Sequence, residues 1–100
     1  MVTYMRRSMT KSILNDVLDE YAFWCCDGVI IKNLEGLHSA LKSMSRETFH
    51  HHVNGNKNDF STWVREVIGD ITLARQLDKT ATGISMEEKV LKRIEWLKRR

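Results

Sequence analysis

The sequence predicts a mainly α domain with a small β-hairpin: five or six helices packed around a short, apolar two-stranded ribbon. Three observations carry this expectation. The 100 residues include no proline, so nothing in the chain forbids long helical runs. Apolar residues recur at intervals of three and four through most of the length, a spacing that lays one stripe along a helix. One stretch, "FWCCDGVII" (residues 23 to 31), breaks that period, and Asp27-Gly28 inside it is a strong short hairpin signal.

Each element follows in order. Residues 1–9 read as a flexible segment ahead of a single domain over 10–100. Thr10 can cap a first helix whose stripe is Ile13, Leu14, Val17, Leu18 and Tyr21. A type I′ turn on Asp27-Gly28 then sets Cys26 opposite Val29, Cys25 opposite Ile30 and Trp24 opposite Ile31. Both faces of that ribbon are apolar, and a lone two-stranded ribbon is marginal in water. Helices, further strands or a second copy of the chain must cover it.

Asn33 caps a helix carrying Leu34, Leu37, Ala40, Leu41 and Met44. Ser45 caps a short helix through Phe49 and the histidines, and Asn54-Gly55 is expected to end it in left-handed conformation. Asn58 caps the next helix, with Phe60, Trp63, Val64 and Val67. Gly69 stops it, and Asp70 caps another with Ile71, Leu73, Ala74 and Leu77. Gly83 reads as a break. Ser85 and Glu88 form a capping box for a basic last helix over 85–100, bearing Met86, Val90, Leu91, Ile94 and Leu97. The chain has no internal repeat, low-complexity segment or long linker.

With 42% hydrophobic and 29% charged residues, the composition is that of a globular domain rather than a disordered chain. The net charge of +3 comes from the last helix: Lys89, Lys92, Arg93, Lys98, Arg99 and Arg100 stand against Glu87, Glu88 and Glu95. Such a helix can touch nucleic acid or acidic protein, and its cations also complement the helix dipole. Trp96 lies about 120° off the apolar stripe. With Lys92, Arg93, Arg99 and Arg100 it forms a candidate surface for a partner or for a stacked single-stranded base. The first residues have no apolar run like that of a secretory signal, and no stretch approaches a membrane span. Two adjacent cysteines make no disulfide framework. A cytoplasmic protein with no membrane contact is expected.

The densest chemistry is "HHHVNGNKND", residues 50 to 59. Successive helix positions lie about 100° apart, so the three histidines spread rather than converge. A metal site there would need His38, Asp59 or a cysteine. Cys25 and Cys26 point to opposite faces of a strand and read as small hydrophobes. Neither metal nor cofactor is expected. His52 is expected to be partly buried and hydrogen-bonded, forming a corner with Asn54, Asn58 and Asp59 between two helices. Asn58 caps, and Asp59 suits the first turn. Lys57 has no evident structural part, and beside a helix start it suits an anion. His52 and Asp59 are the pair that suits acid–base chemistry, but there is no G-x-S-x-G elbow and no glycine-rich phosphate loop. The candidate binding residues are His52, Asn54, Lys57, Asn58, Asp59 and Trp63; no catalytic residue is assigned.

The run Asp27-Gly28, Leu34, Leu37, Ala40-Leu41, Met44, Phe49, His52-Val53-Asn54, Lys57-Asn58-Asp59-Phe60, Trp63, Val67, Gly69-Asp70 and Leu73-Ala74 resembles a family of small archaeal and bacterial domains of unknown function. The signature reads DG, then L..L..AL..M, then F..HVN..KNDF..W...V.GD..LA, over roughly residues 23 to 78. The resemblance implies that the knot from His52 to Asp59 is a family feature, and it supplies no catalytic residue. The first and last helices fall outside it. The leading functional reading is a small non-enzymatic binding or assembly module that forms a homodimer or docks on another protein. The alternative is a nucleic-acid-binding accessory protein using the basic last helix. A third reading is a metal-dependent or acid–base enzyme centred on His52 and Asp59.

Overall fold

Five side-chain caps set the phase of the molecule. In the computed structural model, which describes residues 13–100, each of the five α-helices from Leu34 onward starts where a side-chain oxygen accepts the backbone N–H three residues on. Asn33 opens α1 (Leu34–Ser43), Ser45 opens α2 (Arg46–His52) and Asn58 opens α3 (Asp59–Trp63). Asp70 opens α4 (Ile71–Asp78), and Thr82 opens α5 (Gly83–Lys98). α3 runs on into a π-helical turn, Val64–Ile68, which Gly69 ends at φ 87°. Glycine suits that left-handed position because it has no Cβ to clash.

Two small antiparallel hairpins complete the fold. β1 (Phe23–Trp24) pairs with β2 (Ile30–Ile31), and β3 (Val53–Asn54) pairs with β4 (Lys57–Asn58). The buried stripe of α1 (Leu34, Leu37, Ala40, Leu41) and that of α5 (Met86, Val90, Ile94, Leu97) share one core with Phe60, Trp63, Val64, Leu73, Ala74 and Leu77. His38 Nε2 and Glu87 Oε2, 2.8 Å apart, tie α1 to α5 at its edge. Under β1–β2, the Phe23 ring lies 4.9 Å from that of Phe60 and 5.9 Å from that of Trp63. The Trp63 indole N–H donates to the Tyr21 carbonyl (2.8 Å), so its one polar atom is satisfied as it is buried.

Four expectations need correction. The first concerns the predicted first helix. Its start at Thr10, like residues 1–9, lies outside the described residues. Within them, helix ends at Leu14, and a short 3₁₀ turn forms at Asp19–Tyr21. The Val17 N–H donates instead to the Lys32 carbonyl at the end of β2 (2.8 Å). Ile13, Leu14 and Val17 pack on the core, while Leu18 and Tyr21 stay exposed.

The second is the register of β1–β2. Phe23 faces Ile31 and Trp24 faces Ile30, one residue away from the type I′ expectation. The loop has three residues, not two. Gly28 N–H donates to the Cys25 carbonyl (2.9 Å), Cys25 N–H donates to the Val29 carbonyl (2.9 Å), and Gly28 alone is left-handed, at φ 94°. This is the three-residue loop in which a turn is followed by a left-handed glycine. Asp27 Oδ1 stabilises it by accepting the Val29 N–H at 3.0 Å. The inner face is therefore Phe23, Cys25 and Ile31, and the outer face is Trp24 and Ile30.

The third is the end of α2. Asn54 and Gly55 are not left-handed, and the chain turns through β3–β4 instead. The last is the start of α5, where Thr82 accepts the Ser85 N–H (3.1 Å) and displaces the predicted Ser85–Glu88 box. Gly83 is the first residue of that helix rather than a break.

Candidate functional site

The site is built at the joint between α2, the β3–β4 turn and α3. α2 ends at His52, the six residues of the β3–β4 hairpin reverse the chain, and α3 begins at Asp59. The reversal returns Asp59 to His52: His52 Nδ1 lies 2.9 Å from Asp59 Oδ2. On its other side, His52 Nε2 accepts the Cys26 backbone N–H at 3.1 Å. These two partners fix the tautomer, with the proton on Nδ1 facing the carboxylate and the lone pair on Nε2 facing the β1–β2 turn. The imidazole is 5% exposed, with the Phe23 and Phe60 rings at 5.0 and 5.3 Å.

Lys57 Nζ also reaches Asp59 Oδ2, at 2.9 Å. The lysine that had no evident structural part thus neutralises the carboxylate facing His52. Burial pushes the Asp59 carboxyl up, but the hydrogen bonds from His52 and Lys57 outweigh it and hold the group below the usual carboxylate range. Asn58 caps α3 by accepting the Ser61 N–H (3.0 Å), and its Nδ2 donates to the Leu77 carbonyl at 3.0 Å, joining α3 to the end of α4. Asn54 serves its own turn, donating to the His50 carbonyl (3.2 Å) and accepting the Asn56 N–H (3.0 Å). Trp63 is buried beneath the first hairpin. Of the six candidate binding residues, His52, Lys57 and Asp59 meet as one cluster; Asn54, Asn58 and Trp63 hold backbone.

Two residues absent from the sequence-based candidates join this cluster. Cys26 is exposed on the β1–β2 turn, and His51 is exposed on α2. One donor atom from each of Cys26, His51 and His52 lies within 4.8 Å of the others. The rings of His51 and His52 are 4.9 Å apart and near-perpendicular. Angular spacing along an isolated helix separates adjacent histidines. At the last turn of α2, both reach the hairpin that crosses it. Cys25 behaves as the small hydrophobe expected, its thiol pushed up to about 11 by burial.

The basic surface divides differently from expectation. Arg93 turns away from solvent toward Asp70, with Nε donating to Oδ2 (2.7 Å) and an Nη donating to Oδ1 (3.0 Å). Trp96 is exposed, and the guanidinium carbons of Arg93 and Arg100 stand 4.6 and 4.0 Å from its ring centroid, in the cation–π range. Lys98 leans toward Glu35 at 3.5 Å. Lys92, Arg99 and Arg100 remain exposed.

No family model, curated protein or solved structure matches the chain. Among the described residues, no helix is long and apolar enough to cross a membrane.

Proposed function

We propose that this protein is a small non-enzymatic assembly module that pairs with a second copy of itself through the outer face of β1–β2. The observation that carries this reading is the cross-strand pair Trp24–Ile30, 72% and 46% exposed and directly opposite one another. Five of the nine large hydrophobic residues left exposed among the described residues fall between positions 18 and 30: Leu18, Tyr21, Trp24, Val29 and Ile30. Such concentration separates this stretch from the singly scattered apolar residues that any surface carries.

A second copy suits this face for two reasons. β1 and β2 form a sheet of their own, with no third strand paired to either among the described residues, and identical antiparallel edges pair about a two-fold axis. Covering a large apolar side chain is worth about 1.5–3 kcal/mol, and each contributes twice in a symmetric pair.

Sedimentation equilibrium over a wide concentration range tests the proposal. The expected result is a dimer mass that Trp24→Lys or Ile30→Lys reduces to monomer with helical content unchanged. The neighbouring Ile31→Lys is unsuitable as a probe, since Ile31 is 1% exposed and its replacement would disrupt the core. A sharp monomer mass at the highest concentration sinks self-pairing.

A further inference from the structure

We propose that Cys26, His51 and His52 form a binding site for a borderline-soft transition-metal cation, zinc first among that class. One thiolate and two imidazoles are a donor set that such ions favour over the hard cations, which take oxygen. The donors come from two separate segments, the β1–β2 turn and the last turn of α2, and the fold converges them to within 4.8 Å. Tetrahedral coordination at zinc–ligand distances of about 2.0–2.3 Å sets donors about 3.3–3.8 Å apart. About 1 Å of closure by the exposed Cys26 and His51 side chains, together with a shift of the Cys26 amide off His52 Nε2 to admit the cation, completes the site.

His52 is already oriented for the task. A ligating histidine commonly donates its other ring N–H to a carboxylate, which fixes the ring and raises its basicity. Here Asp59 holds Nδ1 at 2.9 Å, itself neutralised by Lys57, and Nε2 points at the Cys26 turn. Phe23 and Phe60 pack the ring in place. The turn opposite is fixed by the two hydrogen bonds between Cys25 and its partners Gly28 and Val29.

Binding changes two bonds. The Cys26 thiol loses its proton to solvent as sulfur takes the metal, and His52 Nε2 exchanges the Cys26 N–H for the cation. That N–H belongs to an exposed residue, and as the turn shifts it turns toward water. Three protein ligands leave a fourth position for water or an added donor.

The test uses the full-length chain, reduced and stripped with chelator, titrated with cobalt(II) and then displaced by zinc(II). One cobalt per chain is expected, with four-coordinate visible absorption and a thiolate-to-cobalt charge-transfer band in the near ultraviolet, both removed by one equivalent of zinc. Cys26→Ser removes the charge-transfer band. Cys26→Ser and His51→Ala each weaken zinc binding by about tenfold or more, and Asp59→Asn weakens it by about 10–100-fold as an outer partner. Circular dichroism checks that each variant keeps its helices; both exposed ligands are replaceable without touching the core. His50→Ala removes an imidazole from the same helix and leaves the affinity unchanged. The proposal is overturned if no charge-transfer band forms, if Cys26→Ser binds zinc as the parent chain does, or if His50→Ala and His51→Ala lose affinity equally.

Discussion

Asp70 carries two duties on one carboxylate. It caps α4 through the Leu73 N–H (3.1 Å) and grips Arg93 with both oxygens. Its side chain is 2% exposed, so little solvent screens the pair. Removing one partner of a buried pair leaves a charge without compensation, at a cost of about 3–5 kcal/mol. Arg93→Met is therefore expected to lower the urea-denaturation stability by about that much, with little dependence on added salt. A loss under about 1 kcal/mol would place the pair among ordinary surface bridges. Asn58 is the second such joint. Losing its cap costs about 1 kcal/mol and losing its hydrogen bond to Leu77 about another, so Asn58→Ala is expected to cost about 2 kcal/mol in the same assay. No loss in that assay would show that this corner is not structural. The caps at Asn33, Ser45, Asn58 and Asp70 were legible in the sequence because a cap is decided within four residues. Their distant partners were not: Leu77 is 19 residues from Asn58, and Arg93 is 23 from Asp70. No local pattern encodes those meetings.

At the scale of elements, most periodic segments were legible and short reversals were not; the stripe from Ile13 to Tyr21 was the exception, its helix ending at Leu14. α1 follows its apolar spacing and cap, α2 its cap, and α4 its cap and spacing except at Ile71, which lies exposed on the first turn. The β1–β2 register differs by one residue, because Asp27-Gly28 serves equally a two-residue turn or the end of a three-residue loop. Packing decided the choice: the observed register turns Phe23 and Ile31 onto the core, and a one-residue slip would exchange every side chain between faces. The β3–β4 turn escaped notice because its strands, two residues each, are too short to show alternation. That omission hid how Asp59 returns to His52. The adjacent cysteines report on the β1–β2 register directly. Cys25 is 5% exposed and Cys26 lies outside, so metal-free native protein is expected to show one fast thiol per chain toward an aromatic disulfide reagent, and two in denaturant. Cys26→Ser removes the fast phase. Two fast thiols in native buffer would mean that the hairpin samples the slipped register.

For the whole molecule, the sequence indicates which residues need cover but not what covers them. The apolar ribbon was legible, while the split between an inner face on Phe60 and an open outer face depends on where helices arrive from distant parts of the chain. Charge shows the same gap. The last helix reads as a basic patch, yet folding spends part of it internally: Arg93 serves Asp70, and Lys98 leans on Glu35. Trp96, which a single-stranded base would need as a platform, already lies beside the guanidinium groups of Arg93 and Arg100. A base that stacks on a face one of them covers must displace it, at the cost of a cation–π contact worth about 0.5–1 kcal/mol. Lys92, Arg99 and Arg100 then remain as phosphate contacts. Three such contacts give a salt slope near −3 on duplex DNA and about −2 on a single strand, far short of the six to ten contacts of a strong binder. Weak binding at low salt, gone at physiological salt, is the expected result of an oligonucleotide titration. Replacing Lys92, Arg99 and Arg100 together by Gln should abolish even that. A slope of −6 or steeper, or binding that survives the triple replacement, would show that cations beyond the last helix make the contact and that nucleic acid, rather than a second copy of the chain, is the partner to pursue.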